Sequence, residues 1–210
     1  MLFLVLFVSL SSQAHWTDLT ADDFSVPAMP GPRSQQNKLD FKLLHQYQDT
    51  RTKDECELAR HQTLPTFKAF FGPSAKLLSQ KEFSALQTLM NKVGALTESI
   101  THVFKKEYER PRPYDEDETL KPCAVKPGGH KSYPSSHASI AATQACILAK
   151  VFPQRSQKFL DYGKFLGDLR AIVGVHHPSD VIAGQHLGKQ ICEKLFTKKS
   201  FNRDLHDALH

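Results

Sequence analysis

Long runs of like charge are missing from this sequence: nowhere do five or six follow one another. That excludes the charged tails by which many chains hold nucleic acid, so no nucleic-acid polymer is expected as a partner. Beyond the first ten residues no apolar stretch reaches 18, so no membrane span is expected there, and the mature protein should be soluble. No CxxC or other zinc-type spacing occurs, and neither a metal nor a cofactor is expected. No alternating strand pattern and no internal repeat are found, which leaves helices. The net charge of +5 favours anionic partners without naming one. A chain of 210 residues fits one domain with a sizeable core.

What is present begins with an apolar leader. Residues 1–14, MLFLVLFVSLSSQA, are too short to span a bilayer, which takes about 20 residues. Ser12-Gln13-Ala14 fits a small-x-small cleavage site, so a signal peptide over 1–14 and a periplasmic or secreted protein are expected, although no lysine or arginine precedes Arg33. Four cysteines remain, and an even count in an exported chain allows two disulfides in three pairings. Cys56 and Cys123, beside polar segments, are the better bridge candidates. Cys146 and Cys192 lie in apolar stretches and read as small buried hydrophobes.

Residues 15–40 read as an extended arm, 41–200 as the helical domain and 201–210 as a tail. Thr52-Lys53-Asp54-Glu55 is a capping box that opens a helix through Arg60. Phe83, Leu86, Met90, Val93, Leu96, Ile100 and Phe104 recur every three or four residues and predict one long helix. Residues 108–134 hold five prolines and read as a loop. Helices are predicted over Ala138–Phe152, Gln157–Val173 and Val181–Phe196. The expected fold is an all-α, single-domain helical bundle.

Basic residues and histidines gather at three helix ends. Lys105 leaves the long helix and Arg112 follows in the loop; two cations on one exit can converge on one anion. The stretch "SYPSSHAS" places Ser135, Ser136 and His137 at the start of the 138–152 helix, where unpaired N–H groups make an anion cradle. In the third, Arg170 precedes His176, Pro178 ends the helix, Ser179 is placed to cap the next, and Asp180 can reach His176 across one turn. A carboxylate on an imidazole fixes its tautomer and frees the other nitrogen to act as a nucleophile. Taken singly, each cluster also reads as a solvated helix end or a plain cap; it is their co-occurrence that points to a site.

These residues, in this order, resemble the phosphatidic acid phosphatase type 2 and vanadium haloperoxidase superfamily, whose pattern is K-x6-RP, PSGH and SR-x5-H-x3-D. Lys105 stands seven before Arg112-Pro113, Pro134-Ser135-Ser136-His137 matches the second motif, and Arg170, His176 and Asp180 keep the third. The spacing selects Arg112 over Arg110 and His176 over His177. Over about residues 26–195 the chain looks most like bacterial class A non-specific acid phosphatases.

The resemblance implies a metal-independent acid phosphatase that hydrolyses small phosphate monoesters. In that reading His176 is the nucleophile, Asp180 orients it and His137 is the general acid and base. Lys105, Arg112, Ser135, Ser136 and Arg170 bind phosphate. It further implies inhibition by inorganic phosphate or vanadate and allows a homodimer or larger homo-oligomer. Ser136 stands where the motif has glycine and Leu169 where it has serine; neither removes a group that the chemistry needs. Competing expectations are vanadium-dependent halide oxidation, a lipid phosphate phosphatase, and a decayed anion-binding protein. A zinc hydrolase on His130, His137, His176 and His177 lacks a fitting spacing. The loop 114–131, with its acidic run Asp115–Glu118, is expected to rim the pocket or to be merely solvated.

Overall fold

The computed structural model of this chain describes residues 15–128 and 131–210. The expected leader, residues 1–14, and His130 of the 114–131 loop lie outside the described residues. Nine α-helices and no strand are found among the described residues: α1 (Gln35–Thr50), α2 (Lys53–His61), α3 (Phe67–Phe71), α4 (Gln80–Tyr108), α5 (Pro113–Glu116), α6 (Ser136–Val151), α7 (Ser156–Ile172), α8 (Pro178–Phe196) and α9 (Lys199–Leu209).

Local chemistry explains most of these boundaries. Thr52 and Glu55 form the expected capping box of α2, and Ser79 and Glu82 form a second one at the head of α4. Helix α4 buries its stripe of Phe83, Leu86, Met90, Val93, Ile100 and Phe104 and ends where Glu109 turns left-handed (φ 47°). Helix α6 is buried on almost every side, and α4, α7 and α8 pack around it. It is the axis of the bundle, which is why its residues are apolar almost all round rather than along a stripe.

Two glycines set how closely α8 lies on α6. A Cβ at Gly184 would stand 2.5 Å from the Ser135 carbonyl oxygen, and one at Gly188 would stand 2.3 Å from that of Ser139. Backbone therefore meets backbone along this seam, and the first turns of α6 and α8 come side by side. Two disulfides, Cys56–Cys123 and Cys146–Cys192, tie α2 to the loop after α5 and α6 to α8. The second corrects the reading of Cys146 and Cys192 as unpaired hydrophobes: both lie on facing sides of the α6–α8 seam, with Cα atoms 6.2 Å apart.

The chain ends also differ from expectation. Helix α1 starts at Gln35, inside the expected arm, with Ser34 accepting from the Asn37 N–H as its cap. Residues 201–209, read as a tail, belong to α9, whose Phe201 and Leu205 are buried. Trp16, also in the arm, is 1% exposed and meets the Phe201 ring edge-on at 5.8 Å. Its indole N–H donates to Asp204 Oδ2 at 2.8 Å, so the two ends of the described chain clasp each other. At α8 the N-cap is His177 with Pro178 in the first turn, not Ser179.

Candidate active site

The C-terminal ends of α4 and α7 and the N-terminal ends of α6 and α8 meet at one end of the bundle. This brings Lys105, Arg112, Ser136, His137 and His176 to the wall of one cavity of about 810 Å³. Arg170 and Asp180 are buried beside it, 2% and 0% exposed.

His176 is held from both sides. Arg112 Nη1 donates to its Nε2 at 2.8 Å, and its Nδ1 lies 3.3 Å from Asp180 Oδ2. A guanidinium can only donate and a carboxylate can only accept. Nδ1 therefore carries the proton and Nε2 the lone pair. Burial, reinforced by the Arg112 charge, pushes the His176 pKa well below its ordinary value, so the ring is neutral. Asp180 also accepts from the Ser132 hydroxyl (2.5 Å), the His177 N–H (2.9 Å) and Arg110 Nη1 (2.6 Å). Burial alone would raise its pKa; the hydrogen bond from His176 and the neighbouring His177 and Arg110 outweigh burial and hold it ionised.

The cations stand against one another rather than against carboxylates. Among the described residues Lys105 Nζ donates to the carbonyls of Lys131 (3.2 Å) and Ser132 (3.1 Å), and burial with the Arg112 charge lowers its pKa to about 7. Burial and Arg112 likewise bring Arg170 down to about 10. Arg112 Nε, Ser136 Oγ, and Arg170 Nε and Nη1 are buried without a hydrogen-bond partner among the described residues. A buried donor left unpaired costs about 1–3 kcal/mol. Four such donors, on the cavity-lining Arg112 and Ser136 and on the buried Arg170, fit an anion with several oxygens. The backbone N–H groups of Ser136 and His137 in the first turn of α6 also find no acceptor among the described residues.

Two of the expected site residues are engaged within the protein. The Ser135 N–H donates to the Asp180 carbonyl (3.0 Å), and its hydroxyl oxygen accepts from the Ala138 N–H as the cap of α6. Ser135 is 0% exposed and does not line the cavity. As the expected general acid, His137 has to bind a second ring proton. Burial, and after it the Arg170 charge, pushes its pKa well below the ordinary value, while its Nε2 donates to the Gln62 carbonyl at 2.8 Å. The ring standing by itself is neutral.

The acidic run does not reach the cavity either. Glu116 Oε2 lies 3.2 Å from His177 Nε2, and Asp117 binds His45 and Thr119; among the described residues of the 114–131 loop, Pro127, Gly128 and Lys131 line the cavity. Sequence reasoning also passed over Arg110, Asn37 and Asp40. Arg110 bonds both Asp180 and, on α1, Asp40 and Asn37. A signal existed: continuing the stripe of Leu44 backwards by seven and four residues puts Asn37 and Asp40 at buried positions.

Several known proteins are similar to this chain. An acid phosphatase of Zymomonas mobilis is 33% identical over 106 residues, which is 48% of this chain and 39% of that one. A non-specific acid phosphatase of Providencia stuartii is 26% identical over 166 residues, covering 73% and 62%. A lipid A 1-phosphatase of Rhizobium etli is 38% identical over 58 residues, covering 28% and 25%. The chain thus spans about half the length of the curated acid phosphatases it matches. In fold it is similar to a transmembrane PAP2 type phosphatidylglycerolphosphate phosphatase of Bacillus subtilis, with a TM-score of 0.57 at 20% identity over 82% of this chain and 89% of that one. Among the described residues, however, no helix is long and apolar enough to cross a membrane. Residues 89–196, which carry Lys105, Arg112, His137, Arg170, His176 and Asp180, match the family model of the PAP2 superfamily, and to that superfamily the chain belongs.

Proposed function

We propose that this protein is an exported, metal-independent acid phosphatase that hydrolyses phosphate monoesters through a phosphohistidine. The observation that carries the reading is the fixed His176 tautomer, with its Nε2 lone pair held by Arg112 at the wall of the cationic cavity. In the first step Nε2 attacks phosphorus and the bond to the leaving alcohol oxygen breaks. Arg112 moves its Nη1 from Nε2 to a phosphoryl oxygen. Lys105, Arg170, the Ser136 hydroxyl and the first N–H groups of α6 take up the remaining oxygens and the charge that develops.

His137 gives its proton to the leaving oxygen and later takes one from the attacking water as the phosphorus–nitrogen bond breaks. A bound phosphate dianion offsets Lys105, Arg112 and Arg170, the charges that help keep His137 neutral. Substrate therefore brings His137 into its acid form at mildly acidic pH. With its Nε2 proton donated to Gln62, the atom that exchanges the catalytic proton is Nδ1. Fixed cations do the electrostatic work that a metal does elsewhere. The two disulfides fit an oxidising, periplasmic or extracellular compartment.

A lipid phosphate is the second reading. It is favoured by the lipid A 1-phosphatase relative and by Leu64, an apolar residue on the cavity wall that is 70% exposed.

The test is a hydrolysis panel of aryl phosphates, nucleotides, sugar phosphates and phospholipids across the acid-to-neutral range, with and without chelator. Soluble monoesters are expected to turn over, unaffected by chelator. Exclusive turnover of phospholipids would replace the first reading with the second, and no turnover would defeat both. His176→Ala should lower kcat by about four orders of magnitude or more, the scale set by removing a covalent nucleophile. Acid quenching should trap labelled phosphate on His176; a fully active alanine variant overturns the assignment.

A further inference from the structure

Helix α1 carries none of the three motifs, yet it reaches the core of the site. One guanidinium there serves two carboxylates. Arg110 Nη2 donates to Asp40 Oδ2 (3.0 Å) and Asn37 Oδ1 (2.7 Å), and Nη1 donates to Asp180 Oδ1 (2.6 Å) and Ser179 Oγ (2.7 Å). Ser179 closes the ring, its N–H donating to Asp40 Oδ1 at 3.2 Å and its hydroxyl to Asp40 Oδ2. Gln36 Nε2 adds one further donor to Asp40 Oδ1 at 3.1 Å. Arg110 is 3% exposed and both carboxylates are fully buried, so water neither screens nor replaces these bonds.

We propose that Asp40 and Arg110 are positioning residues that set how much negative charge Asp180 presents to His176, making α1 part of the catalytic apparatus. The inference rests on the phosphatase reading above. As Nε2 bonds to phosphorus the imidazole becomes cationic, and Asp180 stabilises it through the charge it does not share elsewhere. Arg110 occupies Oδ1 of Asp180 and leaves Oδ2 to His176, Ser132 and the His177 N–H. Asp40 draws part of the Arg110 charge to itself. Without the Asp40 charge, Arg110 neutralises Asp180 more fully. Without Arg110 the two buried carboxylates lose their shared cation, and Asp180, no longer tied at Oδ1, takes a proton. Either change weakens the pull on the imidazole. Neither Asp40 nor Arg110 lines the cavity, so substrate binding does not depend on them directly.

The test uses the full chain with Asp40→Asn, Arg110→Met and the double variant, each checked for fold by circular dichroism. Both single variants should lose about 10- to 100-fold in kcat, the range seen when supporting partners of a functional histidine are removed. KM and inhibition by sulfate should stay within about twofold. The double variant restores the net charge of the cluster and should recover at least about fivefold in kcat over Arg110→Met, with KM still unmoved. Unchanged kcat in folded single variants, or additive losses in the double, overturns the proposal. If Arg110→Met does not fold, Asp40→Asn should still lose about 10- to 100-fold in kcat and the charge-retaining Arg110→Lys should lose less than it does; an unchanged kcat in Asp40→Asn overturns the proposal.

If the wild-type protein hydrolyses no phosphate ester, the phosphatase reading has failed, and nitrogen NMR of the His176 ring then decides the charge relay by itself. An upfield move of the Nδ1 proton in Asp40→Asn sustains it; an unmoved signal overturns it.

Discussion

Lys105 has lost most of the water that ordinarily keeps a lysine charged. Burial first, and the Arg112 charge second, bring its pKa down to about 7. The sign is that of a lowered pKa: the ammonium is present below about 7 and fades as pH rises through it. Anion binding should fade with it. Sulfate stays a dianion over this range, so its inhibition constant should rise about tenfold from pH 6 to pH 8 if only the protonated lysine binds. Lys105→Met should bind sulfate weakly and flatten that limb; a steep limb in this variant would move its origin elsewhere. Preference for acid then has a source besides the histidines.

The motif residues were legible because their spacing is fixed by helix ends. Ser135 reads both as cap and as ligand because the two use the same residue type, and its N–H bond to the Asp180 carbonyl cannot be read from sequence. Asp40 was hidden by distance: 70 residues separate it from Arg110 in sequence.

Among the elements, the α6–α8 seam matters most to the site. Ser135 at the head of α6 and Asp180 at the head of α8 are bonded backbone to backbone, and Gly184 lies against the same Ser135 carbonyl. A methyl group at Gly184 must push the two helix heads apart. Gly184→Ala is therefore expected to cost about 1–3 kcal/mol in urea unfolding. It should also lower kcat in the fraction that remains folded, because His176 and Asp180 ride on the displaced turn. Equal stability and activity to wild type would show that the seam gives way elsewhere.

Helices α2, α4, α6, α7 and α8 were legible from caps and periodicity. Helix α9 was not: its only buried residues are Phe201 and Leu205, too few to stand out in a polar segment. The four-residue α5 was lost among prolines, although Pro113 at its first position is a helix-starting signal.

For the whole molecule, the two disulfides close segments of 67 and 46 residues. In the chain-entropy account each stabilises the fold by about 4 kcal/mol. Reduction should lower the thermal midpoint markedly, and Cys56→Ser/Cys123→Ser should do so while Cys146–Cys192 stays intact. A midpoint unmoved by reduction would mean that packing alone holds the bundle.

The clasp of Trp16 on α9 has a practical consequence. The sequence has a single tryptophan, and it sits where the two ends of the described chain meet. The site lies at the head of α8 and α9 follows its foot, about 28 Å away at 1.5 Å per residue over 19 residues. Intrinsic fluorescence is thus a gauge of one pole of the bundle and phosphate release a gauge of the other. Recorded together along one denaturant series, they distinguish an enzyme that opens at its ends first from one that melts at a single stroke.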